Sequence, residues 1–137
     1  MRVILDTNVF VSGIFFTGPP YRILEAWRDG KIQLVISQEI LEEYQRVGET
    51  LGKQFPGVKL QPILELVAMN AEIFSDQPLP GPVCDDPADD KFIACAVVSG
   101  CRIIVSGDRH LLKVSGFGGI RVIKPRQFIE EHLFRGE

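Results

Sequence analysis

This chain is poor in the residues that staple or activate many small proteins. It has three cysteines, Cys84, Cys95 and Cys101, and two histidines, His110 and His132. The cysteines are odd in number and none stands in C-x-x-C spacing, which excludes a disulfide framework and a cysteine zinc site. Cys95 reads as a core residue of an apolar helix and Cys84 as a buried or loop thiol. The histidines lie too far apart in sequence and context to read as a pair. No G-x-S-x-G and no thiol with an evident base is present, so acyl transfer by a serine or cysteine nucleophile has no support. Gly116, Gly118 and Gly119 lack the lysine and hydroxyl of a phosphate-binding Walker loop and read as a turn. No apolar run reaches the ~18 residues that span a bilayer. The opening MRVILDTNVFVSGIFF is broken by Asp6 and Asn8 and has neither a basic lead-in nor an A-x-A pattern, so the expectation is no signal peptide and a cytoplasmic protein. Excess positive charge is absent too. The formal net charge of −3 speaks against tight, non-specific binding to nucleic acid by counterion release, but it does not forbid local basic patches.

What is present is an ordinary globular composition, with 45% hydrophobic and 24% charged residues in 137 positions. That length predicts a single domain over residues 1–137, large enough to bury a core without covalent help. Apolar strands are expected at Arg2–Leu5, Ile32–Ile36, Ala71–Phe74, Arg102–Val105 and Ile120–Ile123. Helical periodicity falls between them: Tyr21–Arg28, a helix capped by Ser37 and running to about Val47, a helix opened by Pro62, and a helix capped by Asp86 with Pro87 at its first position and running to Val98. A short helix at His110–Lys113 and a closing one at Pro125–Phe134 complete the pattern. Asn8–Phe16 reads as a helical turn or loop, and Asp76–Asp85 as a proline-rich loop. Short buried strands alternating with helices predict an α/β fold, a three-layer α/β/α sandwich around a mainly parallel sheet of about five strands. In such sheets ligands bind beyond the carboxyl ends of the strands.

Acidic residues stand at those ends. Asp6 follows the first strand and Asp108 follows the fourth. Glu43 borders the buried stripe of its helix, one residue before Tyr44, whereas Glu39 and Glu42 read as a solvated face. In the run from Asp85 to Asp90, Asp86 reads as a helix cap and Asp89 as completing a box-like cap. Asp90 has no capping role so late and stands three residues before Ile93, so it is favoured as the inward-facing acid. Asn8 has the geometry to orient Asp6 or a bound water, and Ser106 offers a hydroxyl just before Asp108. Carboxylates gathered in one place repel unless a cation lies among them, and a hard divalent ion prefers oxygen ligands. A metal-dependent hydrolytic site is therefore the leading expectation.

The segments DTNVFVSG, SQEILEEYQRV, DDPADDKFIACAVVSGCRIIVSGDRHLL and FGGIRVIKPRQFI, in this order and spacing, resemble a PIN domain, and among PIN domains the VapC-like toxins of toxin–antitoxin pairs. The resemblance spans nearly the whole chain, with Gly48–Gln61 the least matched part. It implies an α/β/α nuclease that holds Mg²⁺ or Mn²⁺ with three or four acids and cuts RNA. The implied acids are Asp6, Glu43, Asp90 and Asp108, with Asn8, Ser106 and Asp86 as accessories. It also implies a small antitoxin partner and a homodimer.

In that chemistry the metal activates a water and offsets charge on the phosphate. Arg109, Lys91, Lys113 and Lys53 are candidates for the RNA backbone by proximity in sequence. Two rival readings stand beside this one. A phosphatase would need Asp6 as nucleophile with a well-placed lysine. A non-catalytic RNA-binding module would keep the fold without the chemistry.

Overall fold

The computed structural model describes residues 1–133. Five short strands form one sheet: β1 (Arg2–Leu5), β2 (Gln33–Ser37), β3 (Glu72–Phe74), β4 (Ile103–Val105) and β5 (Arg121–Ile123). Their order is β3-β2-β1-β4-β5 and every pairing is parallel. The helices are α1 (Thr7–Phe15), α2 (Pro19–Arg28), α3 (Gln38–Gly52), α4 (Gln61–Asn70), α5 (Asp90–Ser99), α6 (Arg109–Leu112) and α7 (Pro125–Phe128). The result is the α/β/α layering anticipated from the alternation of strands and helices. Val3, Ile4, Leu5, Leu34, Val35, Ile36, Ile104 and Val105 are all fully buried, as central parallel strands covered on both faces must be. None of the described helices is long and apolar enough to cross a membrane.

Several elements extend beyond or differ from the expected pattern. Asn8–Phe16 is not a loose turn: Asp6 caps a full helix there, accepting a 2.8 Å hydrogen bond from the Val9 amide. The helix after Ser37 continues to Gly52 rather than stopping near Val47. The segment capped by Asp86 begins with a single 3₁₀ turn, Pro87–Asp89, before α5 proper. The closing helix is α7 followed by a π-type turn over Ile129–Leu133, and Phe134, expected as its end, lies outside the described residues.

The strand order creates a topological switch. From β1 the chain crosses toward β2 and β3, and from β4 it crosses toward β5. The connections leave in opposite directions at the β1/β4 seam, which opens a crevice at the carboxyl edge between them. Two contacts brace one wall of that crevice. The Tyr44 ring stacks on Phe10 at 4.0 Å and 7°, which ties α3 to α1. The Tyr44 hydroxyl donates a 2.5 Å hydrogen bond to the Leu5 carbonyl at the last residue of β1.

Gly13 lets α1 and α2 approach closely. A Cβ built there would stand 2.7 Å from Leu24 Cδ1 and 2.8 Å from the Pro20 carbonyl oxygen. Alanine ordinarily stabilises a helix interior relative to glycine by about 0.5–1 kcal/mol. Here the clash includes backbone and outweighs that gain. Gly13→Ala is expected to destabilise the fold by about 1–3 kcal/mol, read as a lower urea midpoint at unchanged slope.

Candidate active site

The register of the central strands dictates the site. Leu5 pairs with Val105 across the β1/β4 seam, so the next residues, Asp6 and Ser106, emerge side by side. The Ser106 hydroxyl donates to Asp6 Oδ2, and the Asp108 amide donates to the Ser106 oxygen at 2.9 Å. Asp108 in turn caps α6, accepting a 2.7 Å bond from the His110 amide. Asp6 is 3% exposed and Ser106 is fully buried, so this chain of bonds forms the floor of the crevice.

Above it lies a small cleft of about 220 Å³, lined by Asp6, Thr7, Asn8, Glu43, Val47, Asp89, Phe92 and Asp108. Asp6, Asn8, Glu43 and Asp108, all singled out from the sequence, therefore meet, with Ser106 directly beneath. Glu43 comes in from α3, held in register by its neighbour Tyr44. Its two oxygens are engaged: Thr7 Oγ1 donates to Oε1, and Lys91 Nζ stands 2.5 Å from Oε2.

The acidic run is placed differently from expectation. Asp89 lines the cleft and Asp90 does not. Asp90 instead clamps the end of the proline-rich loop, accepting from the Cys84 amide at 2.7 Å and from the Val83 amide at 3.3 Å. The physical reason is local: the loop amides of Cys84 and Val83 take both Asp90 oxygens, whereas Asp89 shares its side of the helix with Phe92, three residues on, which lines the same cleft. The sequence carried a signal for this: Asp89 stands three residues before Phe92, just as Asp90 stands before Ile93. Asp86 is exposed and caps the 3₁₀ turn through the Ala88 amide at 3.0 Å. Thr7, which anchors Glu43, was not anticipated, although a hydroxyl between Asp6 and Asn8 was its visible cue.

The basic candidates also sort themselves. Lys91 is half-buried and pairs with Glu43, and Lys113 pairs with Asp85 at 2.9 Å on the surface. Arg109 and Lys53 are exposed, Arg109 directly beside Asp108.

Electrostatically the cleft is strained. Burial pushes the Asp6 carboxyl up to about 6. The Ser106 and Val9 hydrogen bonds oppose that shift, while Asp108 and Asp89 add to it. Asp89 also rises to about 6, first through burial and then through Asp108 and Asp86. Asp89 Oδ2 is buried without a hydrogen-bond partner, a costly state for a carboxylate oxygen. By contrast, burial pushes the Cys84 and Cys95 thiols up to about 12, so neither serves as a nucleophile.

The family profile described as PIN domain matches residues 2–110, from β1 through every residue of the acidic cleft and into α6. The chain belongs to the PIN domain family. Members of this family are generally nucleases, hydrolases that usually employ divalent metal ions. No curated protein matches the chain.

The donors suit such an ion in kind, because the PIN cleft offers only oxygens and one of them is orphaned. Among the described residues, no group of three or more His, Cys, Asp or Glu side chains stands closed into a ready metal cage. Two of the cleft acids are turned to internal partners: Asp6 to Ser106 and Glu43 to Thr7 and Lys91.

The raised carboxyls fix a sign for pH dependence. A carboxyl whose folded pKa lies above its unfolded value favours the native state when protonated. That contribution is complete below the unfolded value near 3.8 and is lost as pH rises through about 6. In EDTA the protein is therefore expected to lose about 1 kcal/mol of unfolding free energy from Asp6 alone between pH 5 and pH 7.5. Asp89, more open to solvent, adds less. Urea titrations at the two pH values check this, and Asp6→Asn is expected to flatten the difference.

Proposed function

We propose that this PIN domain is a metal-dependent ribonuclease that hydrolyses RNA phosphodiester bonds, and that it acts as the toxin of a type II toxin–antitoxin pair. The observation that carries the metal-dependent reading is the orphaned Asp89 oxygen, set in a cleft with Asp6 and Asp108 at the switch point of the sheet. Asp6, Asp89 and Asp108 would hold Mg²⁺ or Mn²⁺, with Glu43 beside them on the cleft wall. When bound, the ion supplies a water of lowered pKa and offsets charge on the phosphate oxygens.

The chain's own groups do the rest. Ser106 holds Asp6 in place and orders the turn before Asp108. Asn8 lines the cleft with an exposed amide suited to hold a water or a phosphate oxygen. Arg109, exposed beside Asp108, would meet the RNA backbone, whereas Lys91 and Lys113 are paired with carboxylates. The small cleft admits an extended strand more readily than a folded duplex, which suits single-stranded RNA.

The toxin role, a homodimer, a small antitoxin partner and a cytoplasmic setting belong to this proposal through the resemblance to VapC-like proteins. The phosphatase alternative is disfavoured by Lys91. A nucleophilic Asp6 would call for a lysine at its side, and Lys91 is committed to Glu43.

The test is incubation of purified protein with total RNA in Mg²⁺ or in EDTA, with the cuts mapped. Cleavage is expected only with metal. Asp6→Asn and Asp89→Asn are each expected to reduce it by at least about 100-fold while the fold persists. Asp90→Asn, which weakens a loop clamp, is expected to lower thermal stability and retain cleavage. Abolished cleavage in Asp90→Asn together with full cleavage in Asp89→Asn would refute the assignment. For the toxin role, overexpression should arrest growth, and co-expression of a small protein encoded beside it should restore growth.

A further inference from the structure

Lys91 stands in an unusual place. It lies in the first turn of α5, where the helix dipole disfavours a cation. Its side chain is only 9% exposed, and its ammonium is 2.5 Å from Glu43 Oε2, a carboxylate that is itself 17% exposed. It does not line the acidic cleft. Lys91 lines the neighbouring cavity beneath the proline-rich loop, with Pro78, Pro82 and Cys95, while its ammonium pairs with Glu43, and its charge is also felt at Asp89. The other Glu43 oxygen accepts from Thr7, and Arg46 adds a looser, solvent-exposed contact at 3.6 Å. A buried lysine–carboxylate pair adds little net stability, because removing both charges from water offsets most of their attraction. The arrangement calls for a reason other than holding the fold.

We propose that Lys91 is a built-in cation that takes the place of a second metal ion, so that the cleft binds a single divalent ion among Asp6, Asp89 and Asp108, with Glu43 withheld from direct ligation. This rests on the metal-dependent function proposed above and deepens it. The charges are consistent with the assignment. Asp6, Asp89, Asp108 and Glu43 face one another across a small cleft. Lys91 neutralises Glu43 and leaves three acids to a single divalent ion. Lysine suits this role because its ammonium is a compact point charge, unlike the broad guanidinium fork of arginine. Lys91 is a positioning residue here: it touches Glu43 and not the substrate.

The experiment counts Mn²⁺ bound by the full chain, by calorimetry and by electron paramagnetic resonance, in wild type, Lys91→Met, Lys91→Gln and Lys91→Arg, each checked for fold by circular dichroism. Wild type and Lys91→Arg are expected to bind one ion per chain. Lys91→Met and Lys91→Gln are expected to bind two, with the spin-coupled signal of a neighbouring pair, because Glu43 is then free to ligate. The glutamine variant is uncharged but polar, so it serves if methionine fails to fold. Two ions in wild type would overturn this inference and leave the metal-dependent reading standing. A single ion in both neutral variants at unchanged affinity would also overturn it. No ion in wild type would remove the metal-dependent reading itself.

Discussion

Asp6 carries a carboxylate into the floor of a crevice where it is 3% exposed, and the rest of the site is organised around the cost of that burial. The cost is met locally. One oxygen caps α1 through Val9, and the other accepts from Ser106. The Ser106 bond joins the ends of β1 and β4, which the sheet has already placed side by side, and the Asp108 amide on the same hydroxyl sets the turn that leads into α6. The cleft is thus an extension of strand register. A shift of one residue between β1 and β4 would separate Asp6 from Ser106 and turn their side chains to opposite faces.

The acids around Asp6 divide by what satisfies them. Asp86 and Asp90 are occupied by backbone amides and hold the chain's turns. Glu43 is occupied by Thr7 and Lys91. Asp89 is left with an oxygen that has no partner, and it shares with Asp6 a carboxyl raised by burial and by like charge. Groups that are fully satisfied contribute to folding. The group that is not satisfied is a source of strain, and strain of this kind is what a cationic ligand relieves on binding. Stability and function therefore draw on the same carboxylates with opposite sign.

Much of this was legible in the residues. The alternation of apolar strands with helical stretches announced the parallel sheet, because strands buried on both faces must be apolar throughout. Asp6 and Asp108 were recognisable because each ends such a strand. Glu43 was recognisable because it borders a buried stripe next to Tyr44. The residues favoured Asp90 over Asp89, because each stands three positions before an apolar residue and Asp89 also suits a cap; only the loop amides that take both Asp90 oxygens separate the two. Lys91 read as a candidate for the RNA backbone because nothing local marks its partner, which lies 48 residues earlier in the chain.

Periodicity, strand-end acids and motif order are local, so most elements and membership of the PIN family could be read in one dimension. Packing alone settles which carboxylates share a cleft, which are spent on backbone amides, and that a lysine pairs with Glu43. Those outcomes depend on distances between residues far apart in the chain and on which loop amides reach a carboxylate, and both are set by packing rather than by any neighbour in sequence.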